Sequence, residues 1–399
     1  MSMEYITITE GKAKLLVPNP DLFRRPDGVY EPSWAPVFYN PKAVVNRDLS
    51  VCMLASAITY LKLNSLHIAD VLAGVGVRGI RYVLEVPAVN YVILNDKNPE
   101  AVKLIVKNVE LNALGGSTKV FCSDANLLLY KLKDEGVRLH YIDIDPYGSP
   151  TPFLRSALLC VVRGGLLGIT ATDIAPLSGI KYLAGSRKYD TKLVRTDFPY
   201  EVGLRTLLGY IARRAAELDR YVEPLMSVFH NYYYRVLIRV GRSVKKTQEM
   251  LLSSIGYITY CRNCLSRNYV NDLNSISITC PKCGSRNDVL GPLWIGSIKS
   301  DDFINNLVNT INTQYNYLSS FQIINKLVTI VKEELNIPYY YDITELASKL
   351  RVSMPRTGDV INCLVSRGFK ASRTHYRSTG VKTDADYEVV KECIRSCSH

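Results

Sequence analysis

Between residues 67 and 171 short apolar runs alternate with helix-patterned stretches, joined by very short links. Ile68–Leu72 reads as a buried strand, and a glycine-rich turn opens a helix over about 77–85. Tyr91–Leu94 is a second strand, followed by a helix over Pro99–Leu114 that starts on its proline. Val120–Cys122 and Ala125–Lys133, His140–Ile144 and Pro152–Val162, then Gly165–Thr170, continue the alternation. Strands separated by helices cannot pair as hairpins. They must form a parallel sheet with helices on both faces, so a doubly wound α/β domain is predicted. Tyr200–Tyr221 follows as a long amphipathic helix, with Leu225–His230 and Tyr234–Val240 patterned as a closing hairpin. Upstream, residues 4–9 alternate like a strand, six prolines between 18 and 41 exclude helix, and Arg47–Leu63 has helical period.

The remainder of the chain differs in character. Four cysteines stand as Cys261-x2-Cys264-x15-Cys280-x2-Cys283. Two such knuckles close a tetrahedral four-thiolate zinc site, and the spacer is long enough for a hairpin. Four thiolates leave no open position, so the zinc is expected to be structural. Residues 342–382 carry eight Lys/Arg against three Asp/Glu, with two short helices over Ile343–Leu350 and Pro355–Arg367 and a strand over Phe369–His375, weakly similar to a winged helix. The expected division is 1–245 for the α/β domain with its N-terminal extension, 256–295 for the zinc ribbon and 296–399 for a small basic α+β C-terminal domain.

Charge points to a partner. Forty-nine Lys+Arg against 37 Asp+Glu leave a net +12, which favours polyanions such as nucleic acid. With 47% hydrophobic residues, disorder is excluded. The longest apolar run, Leu158–Ala171, is broken by Arg163 and glycines and is too short to span a bilayer. The N-terminal residues lack a signal-peptide pattern, so a cytoplasmic protein with no membrane partner is expected. There the six other cysteines should be reduced and mostly buried; the tail Cys393-x3-Cys397-x-His399 is a weak metal candidate.

The strand ends carry the chemistry. Gly74-Val-Gly76-Val-Arg-Gly79 follows the first strand and opens a helix, where a doubly wound sheet binds ligands. Asp96 ends the second strand, placed to accept bonds from ribose hydroxyls. A dinucleotide and S-adenosylmethionine both fit these two features. Ser123-Asp124-Ala125 after the third strand and Asp145-Pro146-Tyr147-Gly148 after the fourth favour the second: the latter looks like the (Asp/Asn)-Pro-Pro-(Tyr/Phe) motif of amino methyltransferases, one proline short. A base amine is a poor nucleophile because its lone pair is delocalised. The Asp145 carboxylate and the Pro146 carbonyl can each accept one of its N–H groups, turning the nitrogen toward tetrahedral geometry. Tyr147 offers a face for a flipped base. Asp143, two residues earlier on the same strand, faces the same side.

Further stretches carry a family resemblance: Glu10-Gly11-Lys12-Ala13, Val37-Phe38-Tyr39-Asn40-Pro41, Asn46-Arg47-Asp48-Leu49-Ser50, Gly76-Val77-Arg78-Gly79-Ile80-Arg81-Tyr82 and Asn95-Asp96-Lys97-Asn98-Pro99. With them go Ile144–Pro150, Thr172–Leu177, Arg187-Lys188-Tyr189, Ser372–His375 and Val381–Ala385. Together they span nearly the whole chain, which resembles the archaeal-type tRNA (guanine-26-N2)-dimethyltransferase family. The resemblance implies a Rossmann-like class I methyltransferase that moves one or two methyl groups from S-adenosylmethionine to the N2 amine of guanine 26 in tRNA. It implies that Arg47, Arg78, Asp96, Asp124 and Ala125 hold the cofactor, and that Phe38 and Tyr147 sandwich the guanine, with Tyr147 where the family has Phe. Arg187, Lys188, Arg195, Arg373, His375, Arg377 and Lys382 are phosphate-contact candidates. tRNA is the one partner implied. The alternatives are a methyltransferase for another tRNA guanine amine, an NAD-dependent oxidoreductase, which leaves Asp124 and Asp145–Gly148 without a role, and a non-catalytic RNA-binding protein.

Overall fold

The computed structural model describes residues 4–398. The chain divides into two compact units, both discontinuous. The first takes the chain up to Thr170 with Val236–Gly241 and Asp302–Val328; the second takes Ala171–Arg235, Arg242–Asp301 and the chain from Thr329.

The first unit opens with a hairpin of β1 (Tyr5–Glu10) and β2 (Ala13–Pro18), in register from Tyr5 opposite Pro18 to Glu10 opposite Ala13. The proline-rich stretch that follows makes short 3-10 turns, each with a proline in its first turn, and an antiparallel bridge between Arg24 and Tyr30. Helix α1 (Val44–Leu61) comes next, and Val45–Ala57 are buried without interruption. A helix buried on all sides is expected to be apolar throughout, yet this one carries Asn46, Arg47, Asp48 and Ser50, so each of these needs a partner inside the protein.

The expected alternation follows: β3 (Leu66–Asp70), α2 (Val77–Glu85), β4 (Val89–Asp96), α3 (Pro99–Leu111), β5 (Thr118–Cys122), α4 (Ala125–Asp134), β6 (Leu139–Ile144), α5 (Leu154–Cys160) and β7 (Val161–Ala171). The strands lie parallel in the order β5-β4-β3-β6-β7, and Tyr233–Arg242, most of it in this unit, continues the sheet beyond β7. The order reverses between β3 and β6, which places a ligand crevice at the C-terminal ends of β3, β4, β5 and β6. Ile68, Ala69, Val92, Leu94, Ile142 and Ile144 are fully buried, the apolar filling that a sheet covered on both faces requires. Segment 302–328 is tied to α1: Ser56 Oγ donates to Asn306 (2.6 Å) and Phe303 packs edge-on against Tyr60.

In the second unit the 18-residue helix Pro199–Ala216 is shorter than its expected span, and Arg220–His230 is a strand. Ile255–Tyr260 is the central strand of an antiparallel sheet, flanked by Arg267–Val270 and Asp288–Trp294. The expected C-terminal helices are Ile343–Leu350 and Thr357–Ser366; a third, Tyr387–Ser396, closes the chain. Gly380–Thr383 pairs with both Tyr341–Asp342 and Ala371–Arg373. The expectation that these cysteines are reduced fails at one pair. Cys363 and Cys393 form a disulfide, their Cα atoms 5.7 Å apart on facing helices, a proximity that a separation of 30 residues does not reveal. Cys393 is thereby removed as a metal ligand, and His399 lies outside the described residues. No helix among the described residues is long and apolar enough to cross a membrane.

Candidate functional site

The glycine turn after β3 is built for close approach. Gly74 has φ +56°, and a Cβ there would sit 2.9 Å from the Phe38 carbonyl oxygen. At Gly79 a Cβ would overlap the Leu94 side chain, so only glycine lets α2 lie against β4. Gly74 N–H donates to Asp96 Oδ2 and Asn98 N–H to Oδ1, each at 2.9 Å. These two bonds hold the half-buried carboxylate still and leave each oxygen a second lone pair. Asp124 caps α4, its Oδ1 accepting from Asn126 N–H (2.9 Å) and Leu127 N–H (3.2 Å). Asp124 is exposed, and Ala125 beside it is buried. Asn95, given no role from sequence, ties the turns together: its Nδ2 donates to the carbonyls of Val71 and Ser123. Its place in the Asn95–Pro99 stretch was the available signal.

At the end of β6, Asp145 is half-buried and Pro146 buried. Tyr147 is 80% exposed and Phe38 42% exposed, and their rings meet edge to face with centroids 5.8 Å apart and planes at 61°. The two residues expected to sandwich a base thus face each other. Holding a flat base between them requires two stacking distances, about 7–8 Å, so the rings must part and turn parallel.

Arg78 reaches Asp145: Nη2 donates to Asp145 Oδ2 at 2.5 Å. Its Nε lies 3.6 Å from Asp143 Oδ1. Burial alone lowers the Arg78 pKa, but the carboxylates of Asp145 and Asp143 outweigh it and raise the value further above the ordinary one. Asp143 is fully buried and accepts from the hydroxyls of Tyr82 (2.6 Å) and Tyr141 (2.5 Å). Its neighbour Asp70, pushed up to about 7 by burial and then by the Asp143 charge, accepts from Gly79 N–H.

Arg47 has a different environment. Its Nε and Nη2 grip Glu10 at 2.6 and 2.5 Å, and Nη1 donates to the Asn40 carbonyl. Glu10 also takes Arg81 Nη1 (2.9 Å) and the Tyr39 hydroxyl (3.0 Å). Arg81 goes on to Asp48 (2.6 Å) and Glu85 (2.6 Å). Burial works to raise the Glu10 pKa, and the guanidiniums of Arg47 and Arg81 hold it down at about 2. A cavity of about 390 Å³ opens beside this network, lined by Glu10, Tyr39, Pro41, Tyr317 and Ser319 among others. Arg47 and Arg78, expected at the cofactor, are both engaged by acids of the chain itself. The donor set still fits a sulfonium amino acid attached to a nucleoside: acids at the β4 and β5 ends for ribose and base, and two buried guanidiniums.

The four expected metal ligands are brought together. The Sγ atoms of Cys261, Cys264, Cys280 and Cys283 lie within 4.8 Å of one another, with 3.5 Å between Cys261 and Cys283 and 3.6 Å between Cys264 and Cys280. A zinc–thiolate tetrahedron with bonds near 2.3 Å has edges of about 3.8 Å, so the cage fits zinc. The two knuckles have matching backbones: Leu265 N–H donates to Cys261 O and Gly284 N–H to Cys280 O. The ribbon is tied to the last helix by Tyr387, whose hydroxyl donates to the Cys264 carbonyl, and by a Lys282–Asp386 pair.

Two phosphate-contact candidates require correction. Lys382 is fully buried between Glu201 (2.6 Å) and Glu334 (2.9 Å). The His375 side chain is also buried: Nε2 accepts from Phe229 N–H and Nδ1 meets Glu334 at 2.5 Å. Hydrogen bonds to buried acids hold both side chains in the interior, which removes them from the surface. Arg187, Arg195, Arg373 and Arg377 are exposed, Arg377 pairing with Asp342. Lys188 pairs with Asp173, which also accepts from the Tyr189 hydroxyl.

Comparison with known proteins gives concordant results. A sequence-family model described as N2,N2-dimethylguanosine tRNA methyltransferase matches residues 11–395. The chain is 39% identical over 396 residues to a tRNA (guanine(26)-N(2))-dimethyltransferase of Saccharolobus solfataricus, covering 99% of this chain and 100% of that one. The corresponding protein of Metallosphaera sedula is 37% identical, with 99% and 98% covered. Among solved structures, Trm1 of Pyrococcus horikoshii in complex with S-adenosyl-L-methionine superposes with a TM-score of 0.84 at 33% identity, covering 98% of this chain and 99% of that one.

Proposed function

The chain belongs to the N2,N2-dimethylguanosine tRNA methyltransferase family, and from that premise we infer that it transfers one or two methyl groups from S-adenosylmethionine to the exocyclic N2 amine of guanine 26 in tRNA. The observation that carries this reading at the site is the juxtaposition at the end of β6. Two exposed aromatic rings, Phe38 and Tyr147, stand against each other beside an acid-proline pair. Such a mouth suits a flat, extruded base better than a hydride donor, and it gives Asp145–Gly148 the role that an oxidoreductase leaves empty.

The bound cofactor supplies an electrophilic methyl on sulfur. Asp96 is assigned to the ribose, Asp124 and Ala125 to the adenine, and Arg47 and Arg78 to the carboxylate end. Phe38 and Tyr147 clamp the guanine. Asp145 and the Pro146 carbonyl accept the two N–H groups of the amine, aim its lone pair, and Asp145 takes up the proton that the methylated nitrogen must lose. The zinc ribbon is a structural element of the second unit, and the exposed arginines Arg187, Arg195, Arg373 and Arg377 bind phosphates. The test is digestion of tRNA after incubation with protein and cofactor, followed by nucleoside mass spectrometry. N2-methylguanosine or N2,N2-dimethylguanosine is expected; methylation on a ring nitrogen alone contradicts the reading.

A further inference from the structure

Asn46 and Ser50 have no part in the reaction as described, yet both are buried, at 3% and 1% exposure. They lie four residues apart on α1 and so share a face. Both turn to one guanidinium. Ser50 Oγ accepts from Arg78 Nη1 at 2.7 Å, and Asn46 Oδ1 accepts from Nη2 at 3.2 Å. Ser50 is itself fixed, donating to the Asn46 carbonyl at 2.6 Å. Nη2 carries two hydrogens: one points to Asn46 and the other to Asp145 Oδ2. Because the guanidinium is planar and rigid, whatever orients the first N–H orients the second. Asp143 flanks the Nε side. Arg78 is thus seated from α1 and β6 at once, and its outward donor is directed at the carboxylate assigned to the amine.

We propose that Asn46 and Ser50 are positioning residues for methyl transfer, seating Arg78 so that it holds Asp145 in the orientation that receives the amine. The proposal rests on the reading of Asp145 given above. It also explains why polar residues occupy a helix face buried like core: each removes a degree of freedom from a group one step nearer the chemistry.

The test uses the full chain. Ser50→Ala removes one hydroxyl without adding bulk, Asn46→Leu removes the acceptor, and Asn46→Asp keeps it. Single-turnover methylation is measured at saturating cofactor and tRNA, and S-adenosylmethionine affinity by calorimetry. Misaiming a reacting group by about an ångström can reduce rate 100-fold, so Ser50→Ala and Asn46→Leu should lose roughly 10- to 100-fold in rate. Cofactor affinity, to which Arg78 is also assigned, should fall by less than the saturated rate in both, and Asn46→Asp should recover most of the rate. If affinity falls in step while the saturated rate holds, the seat serves cofactor binding and the proposal is overturned. An unchanged rate in Ser50→Ala overturns it as well, and that variant alone decides if Asn46→Leu fails to fold. A wild-type protein that makes no N2-methylated guanosine overturns the functional reading and the proposal together; an active wild type with an equally active Ser50→Ala overturns the proposal alone.

Discussion

At the scale of single residues, two carboxylates have separable tasks. Asp145→Ala should leave cofactor and tRNA affinity nearly intact and lower the single-turnover rate by orders of magnitude; a rate within a few-fold of wild type moves the role elsewhere. Asp96→Ala should weaken cofactor binding by about 1.5–3 kcal/mol, the contribution of a hydrogen bond to a charged group, as read by titration calorimetry. Glu10 makes a pH prediction. Its carboxyl is held at about 2, below the ordinary 4.5, so the ionised form stabilises the fold. That contribution is complete above pH 4.5 and drains away as pH falls toward 2. Glu10→Gln should therefore melt several degrees below wild type at neutral pH, with the gap closing in acid; a gap independent of pH contradicts the ion-pair account. The placement of Asp96, Asp124 and Asp145 at strand ends was legible in the sequence because each closes or follows its own strand. The partner of Arg47 was not, because Glu10 lies 37 residues away and the two meet only when β1 folds against α1. Lys382 and His375 misled for the same reason: a basic residue in a basic stretch gives no sign of the buried glutamates it bonds to.

At the scale of elements, strand–helix alternation was readable because apolar period and glycine or proline punctuation coincide with chain reversals. Boundaries were less so. The helix expected from Pro152 begins as a short 3-10 turn over Thr151–Phe153 and only then continues as α5. β7 starts at Val161, earlier than expected, with the pairing register shifting between Leu139 and Tyr141. Glycines at 164 and 165 read as a break, whereas the sheet absorbs them as an irregularity. The ribbon was legible to the residue because metal ligation fixes its spacing. Elemental analysis should give one zinc per chain. Cys280→Ser should lower thermal stability well beyond a surface substitution, since an incomplete thiolate cage loses the metal that orders it; a metal-free protein of equal stability contradicts a structural role.

At the scale of the whole molecule, the substrate is a folded RNA, and the target base alone carries too little information to select it. Selection has to come from phosphate and shape recognition away from the base. Arg373 and Arg377 are exposed in the second unit. Replacing both by Ala should weaken tRNA binding and flatten its salt dependence by roughly one log–log slope unit for each phosphate no longer neutralised. Lys382→Ala, which takes away the cation that Glu201 and Glu334 share, should instead reduce stability. An unchanged salt slope in the double variant assigns the grip to other residues. The central claim is more specific than tRNA binding: the acceptor is the N2 amine at position 26. It is tested most directly with two otherwise identical tRNAs, one with guanosine at position 26 and one with inosine, which lacks that amine, each incubated with methyl-labelled cofactor. The account predicts label in the guanosine tRNA and background in the inosine tRNA. Equal labelling of the two would contradict it.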